Sequence, residues 1–139
     1  MVEFTIVLPV LLMLLLGVAE IGNAMLRYSA LTKAVHEGAR YAAAKGLDGS
    51  TGAVNVDAQL LSEVRNVVVY GNQGGTGGVV LSGLQPAQVT VVDLGGDLVR
   101  VDASYPYQPI IGPVLPNFGP GSSITTGFLM QASVTMRAL

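Results

Sequence analysis

No side chain from Phe4 to Ala19 carries a charge. The run Phe4-Thr5-Ile6-Val7-Leu8-Pro9-Val10-Leu11-Leu12-Met13-Leu14-Leu15-Leu16-Gly17-Val18-Ala19 is bracketed by Glu3 and Glu20. Beyond it the apolar positions thin to a stripe. Ile21, Ala24, Tyr28, Leu31, Val35, Ala39 and Ala42 recur at steps of three and four, with Arg27, Lys33, His36, Glu37 and Arg40 between them. That is the period of an amphipathic helix. No Gly-Pro or Asn-Gly pair separates the halves, so the pattern predicts one helix from Met1 to about Ala44, apolar all round at first and one-sided afterwards. At 1.5 Å per residue it would run about 65 Å. A helix of that length exceeds one small domain and is expected to project from it. Gly46 and Asp48-Gly49-Ser50-Thr51-Gly52 mark its end.

The remaining pattern is mixed. Val56, Leu60, Val64, Val67 and Val68 make a second helical stripe, predicting a helix over 54–70 stopped by Gly71-Asn72. The β-branched run Val67-Val68-Val69 leaves an extended end as the alternative. Asn72 to Gly78 reads as a glycine-rich surface loop; it lacks the Lys-Ser/Thr of a phosphate-binding loop. From Val79 the period changes to two. Val79–Leu81 is a candidate short strand. Gln88–Leu94 and Asp97–Tyr105 flank Gly95-Gly96 as a hairpin. Pro106 ends the second strand, residues 110–123 form a Pro/Gly-rich crossing loop, and residues 124–138 form a last strand. The expected fold is therefore α+β. An N-terminal assembly or transmembrane helix (1–45) carries a small head (46–139) of one further helix and an antiparallel sheet.

Composition changes the picture in one respect. Only 12% of the 139 residues are charged and 50% are hydrophobic, against a usual charged share of about 25%. Much of the surface is thus expected to face lipid or protein. A net charge of −2 without a basic cluster leaves nucleic acid no electrostatic footprint. The absence of cysteine excludes thiol chemistry and Cys-built metal sites.

The apolar run is sixteen residues between Glu3 and Glu20, short of the roughly 20 of a comfortable spanning helix. It spans a membrane only just. An acidic flank, and a helix that continues past Glu20, argue against a removable signal peptide. Glu3 is the first candidate site residue. A carboxylate beside an apolar helix costs several kcal/mol to desolvate, so it either sits in the headgroup layer or pairs with an α-amino group, its own or a neighbouring subunit's. Pro9 lacks the N–H that would reach the Thr5 carbonyl and predicts a kink or loosening. Gly17 and Gly22 are weak points that let helices approach closely. Lys33–Glu37 and Glu37–Arg40 are spaced as helix ion pairs. His36 is the lone histidine and reads as solvated, and Asp93, Asp97 and Asp102 read as solvated strand ends. No catalytic constellation stands out, so no enzyme activity and no cofactor or metal is expected.

Val2-Glu3-Phe4 with Val7-Leu8-Pro9, the leucine run to Gly17, and Glu20 resemble the start of TadE-like pseudopilins of the tight-adherence (Flp-type) pilus systems. Leu31-Thr32-Lys33-Ala34 and Gly38-Ala39-Arg40-Tyr41-Ala42-Ala43 are similar to the second half of that motif. Tyr105-Pro106-Tyr107 and Met136-Arg137 are similar to the family's sheet. The resemblance implies a precursor whose short basic leader is cut by a membrane aspartic prepilin peptidase, with the numbering beginning at the mature end or the true start lying upstream. It implies a helix held in the inner membrane with the head outside the cytoplasm, and a secretion ATPase that extracts subunits into a filament. On Glu3 it places subunit-to-subunit pairing of N-termini.

The expectation is a pilin-like subunit that polymerises into an extracellular, type IV-like filament for adhesion or surface attachment. Met1, Glu3, Phe4, Pro9, Leu12, Leu16, Gly17 and Glu20 would form the N-terminal pairing and helix core. The alternatives are a minor TadE-like pseudopilin that primes assembly and a single-pass anchored periplasmic binding domain.

Overall fold

A computed structural model of the chain describes residues 2–47, 54–112, 114–115, 124–125 and 127–138. The long helix is present as α1, Val2–Lys45, and runs through Pro9. The Gly46 N–H closes its last turn on the Ala42 carbonyl at 2.7 Å. Leu47 and Val54 then form an isolated antiparallel bridge.

The second helix, α2, spans Ala58–Tyr70 and begins later than the apolar stripe suggested. Asp57 decides the start: its backbone is extended and its Oδ1 accepts the Leu60 N–H at 2.6 Å, capping the helix. Val67-Val68-Val69 stays helical, with Val68 and Val69 fully buried. Packing outweighs the β-branched penalty of a few tenths of a kcal/mol per residue. Gly71, at φ 73°, donates its N–H to the Val67 carbonyl at 2.9 Å and ends the helix.

On α1 the buried stripe is Leu31, Ala34, Val35, Ala39, Ala42 and Ala43. It starts later than expected, because Ile21 and Tyr28 are exposed. A Cβ on Gly38 would lie 2.4 Å from Val68 Cγ2, and one on Gly46 would lie 3.6 Å from Leu60 Cδ2. As numbers rise along α1 they fall along α2, so the helices pack antiparallel, with Gly38 against Val68. Among the described residues the ion pairs are Lys45–Glu63, Arg100–Asp102 and Arg137–Asp97. The expected Lys33–Glu37 and Glu37–Arg40 pairs are not among them.

The strands are β1 (Val89–Gly95), β2 (Leu98–Pro106), β3 (Val114–Leu115), β4 (Ile124–Thr125) and β5 (Leu129–Arg137). Three of them form an antiparallel sheet of order β1-β2-β5, with Val91 and Val134 both opposite Val101. Val99, Val101, Ala103 and Tyr105 alternate into the core from β2, joined by Val89, Met130 and Ala132. The Arg65 Nε–H of α2 donates to the Val89 carbonyl at 3.1 Å, tying helix to sheet. The hairpin turn is shifted by one residue from the expected Gly95-Gly96. Gly96 and Asp97, at φ 63° and 64°, are its central residues, and a bulge falls between Asp93 and Gly95.

Three expectations are corrected. Val79–Leu81 is not a strand: Val80 donates to the Val69 carbonyl, Leu84 to that of Leu81, and among the described residues no strand pairs with it. The 110–123 segment contains β3, which pairs with β4, so it is not loop throughout. The single last strand over 124–138 is divided into β4 and β5. β2 ends at Pro106 opposite Leu129, and β4 pairs with β3 instead.

The chain forms two compact units, Met1–Arg27 with Tyr107–Phe128, and Tyr28–Pro106 with Leu129–Leu139. Residues 28–45 of α1, α2 and the three-stranded sheet belong to the second; residues 2–27 of α1, β3 and β4 belong to the first. The architecture is α+β and consistent with a pilin-like fold.

Candidate functional site

Every residue from 4 to 19 of α1 is exposed in the isolated chain. Phe4 is 70% and Leu12 50% accessible, and large apolar side chains recur to Leu26. Covering a Leu or Phe side chain is worth about 1.5–3 kcal/mol, so the run as a whole carries tens of kcal/mol. That exceeds the 5–15 kcal/mol of a typical domain's stability. Such a surface is covered by something. By length and composition α1 qualifies to cross a membrane. Its uncharged run supplies about 24 Å of the roughly 30 Å hydrocarbon core.

The expected assembly residues are strung along this rod. Met1 lies outside the described residues, and Glu3 is placed by its backbone alone, in the first turn of α1. Phe4, Pro9, Leu12 and Leu16 are exposed along the run. A Cβ on Gly17 would meet nothing within 4 Å, leaving room for another helix. Within one chain these residues do not converge.

Glu20 behaves differently. Its carboxylate accepts the Tyr107 hydroxyl and the Ile110 backbone N–H, the latter at 3.1 and 3.2 Å to its two oxygens. Asn23 Nδ2 donates to the Tyr107 hydroxyl oxygen at 2.9 Å, and the Arg27 guanidinium stands 5.8 Å from the Tyr107 ring centre. Phe128 packs on the same ring at 5.1 Å, and its carbonyl accepts the Tyr107 N–H. Burial, then the neighbouring Glu20 carboxylate, push the Tyr107 hydroxyl above its ordinary pKa. One α1 face from Glu20 to Arg27 thereby holds the chain that leaves β2. Nothing local in the sequence signalled these partners, which are 87 and 90 positions apart. The alternation Tyr105-Pro106-Tyr107 was the available clue.

A second polar cluster ties α1 to α2. The Tyr41 hydroxyl donates to Glu63 Oε2 at 2.6 Å, Gln59 Nε2 donates to Oε1 at 3.1 Å, and Lys45 Nζ lies 3.4 Å from Oε2. The Tyr41 hydroxyl first, then Gln59 and Lys45, hold the Glu63 carboxyl below its ordinary pKa. Sequence reasoning missed this cluster, because Glu63 lies on the polar side of a helix with no marked partner. Tyr105 is buried and donates its hydroxyl to the Ser82 carbonyl at 2.9 Å.

The aspartates noted in the sequence stand apart. Asp93 Oδ1 accepts the Gly95 N–H, Asp97 faces Arg137, and Asp102 pairs with Arg100 at 3.0 Å. His36 is exposed. Among the described residues no group of three His, Cys, Asp or Glu is placed to hold a metal ion.

Fold and surface together define a class: a pilin-like α+β head continuous with one apolar N-terminal helix. Residues 1–40 match the family model described as TadE-like protein. No curated protein and no solved structure matches the chain. The family match and the single apolar helix support a role within the pilin and pseudopilin superfamily.

Proposed function

We propose that this chain is a non-catalytic structural subunit that polymerises through the first half of α1 into an extracellular, Tad-type filament for surface attachment. The observation that carries the reading is the uncovered apolar run 4–19, continuous with a helix half whose stripe is already buried. In the inner membrane lipid covers that run. In a filament, neighbouring copies of the same run replace lipid. Because acyl chains are as apolar as leucine, the exchange is nearly neutral in hydrophobic terms, and helix packing and Glu3 pairing supply the preference. Repetition by a non-closing operator then yields a helical filament. A prepilin peptidase and a secretion ATPase are the partners this route requires; nucleic acid has no part in it.

The test is to shear cells producing the protein, image the supernatant by electron microscopy and sequence the N-terminus of the purified material. Filaments built from this chain, lost in Glu3→Ala, are the expected result. Filaments that persist in Glu3→Ala remove the pairing role of Glu3. Protein confined to the inner membrane, unprocessed and monomeric in detergent, overturns polymerisation in favour of a single-pass anchored domain. Processed protein present only at trace level in a filament of another subunit assigns it as a minor pseudopilin.

A further inference from the structure

A second uncharged stretch runs from Ala103 to Met136, between Asp102 and Arg137. Part of this stretch, residues 107–128, lies in the same compact unit as the apolar half of α1. Its position along the helix follows from Glu20. Helical side chains lean toward the N-terminus, so the Glu20 carboxylate lies over the turn before its own Cα. That turn is Leu16-Gly17, the last of the apolar run. The Ile110 N–H, bound to both carboxylate oxygens, is therefore held level with the end of the run. Ile110 is 70% accessible, Ile111 38% and Phe128 53%. Arg27, beside Tyr107, lies about 10 Å further along the axis. With the run in the hydrocarbon, that is the depth of headgroup phosphates, where aromatic and cationic side chains collect.

We infer that Ile110, Ile111 and Phe128 form an interfacial contact with the lipid bilayer, seated where the apolar run of α1 emerges and held there by Glu20. The inference rests on the membrane residence of residues 4–19 proposed above. It explains why a carboxylate stands at that boundary. Its charge is occupied by the Ile110 N–H and the Tyr107 hydroxyl of the same unit, so it meets the lipid already hydrogen-bonded. The contact also widens an apolar belt that is short of the hydrocarbon thickness.

The chain has no cysteine, so single-cysteine variants report one position each. Ile110→Cys, Phe128→Cys, Leu12→Cys and Ser62→Cys, in the full chain, would be labelled with an environment-sensitive dye. They would be reconstituted into phosphatidylethanolamine/phosphatidylglycerol vesicles carrying shallow or deep spin-labelled lipids. The expected result is quenching of positions 110 and 128 by the shallow label, of position 12 by the deep label, and of position 62 by neither. Adding Glu20→Ala should abolish most of the quenching at 110 and leave that at 12 unchanged. Positions 110 and 128 unquenched while 12 is quenched overturns this inference alone. Position 12 unquenched as well overturns the membrane reading beneath it. Blue-shifted emission at 110 that needs dense protein and is indifferent to the lipid label assigns the patch to a neighbouring copy and also overturns the lipid contact.

Discussion

Leu12 and Leu31 belong to the same helix, α1, and live in opposite worlds. Leu12 is 50% accessible; Leu31 is fully buried. Around Leu12 every helix face is apolar and none is covered within the chain. Around Leu31 one face is apolar, and the same unit supplies α2 and the sheet. The difference teaches what each half is for. The second half stabilises a head. The side chains of residues 4–19 stay uncovered within the chain, and in the proposed function their free energy is realised in lipid or against other subunits.

The sharpest way to break this comparison is to make the same substitution twice. Leu31→Ala should cost the head about 2–5 kcal/mol, read as a lowered thermal unfolding midpoint in detergent. Leu12→Ala should leave that midpoint within about 0.5 kcal/mol of the parent. Equal losses would end the division of labour. A charge reverses the asymmetry: Leu12→Arg should disfavour membrane insertion by about 2.5–3.5 kcal/mol, seen as loss from the membrane fraction while the head still folds. A head that unfolds in Leu12→Arg would show the halves to be coupled.

Gly38→Ala tests the packed half where α1 faces Val68 of α2. The added Cβ meets Val68 Cγ2 at 2.4 Å, and overpacking of this kind costs about 1–3 kcal/mol. Pairing it with Val68→Ala should recover part of the loss; no recovery would relocate the clash. The smallest effect concerns pH. Glu63 has its carboxyl pKa lowered in the folded state. Its contribution is therefore fully present above the unfolded carboxyl value and is lost as pH falls through the folded one. Glu63→Gln should lower the head's stability slightly at neutral pH and converge with the parent in acid, so the acid side of the profile flattens. An unchanged acid limb would mean the Tyr41–Glu63–Lys45 cluster adds no pH-dependent stability.

Much of this was legible in the residues. The length of α1, its change from all-round to one-sided apolarity, the Gly71 stop and the alternating strands follow from nearest-neighbour chemistry repeated along the chain. The errors have physical causes. The Asp57 cap, not the apolar stripe, sets the start of α2 at Ala58. Val79–Leu81 has β-branched character, yet strands require a partner, and none of the described residues pairs with it as one. The last stretch is two strands because β4 pairs with β3 and β5 with β2, a change of partner that alternation along the chain does not show.

The sequence by itself determined that a greasy rod is joined to an α+β head, since hydrophobic period and turn chemistry are local properties. Only tertiary structure decided that Gly38 is where two helices meet, that Tyr41 and Lys45 share Glu63, and that Glu20 is held by Tyr107 and Ile110. Hydrogen bonds and close packing between distant positions leave no period to read. They exist only once the backbone has brought donor to acceptor.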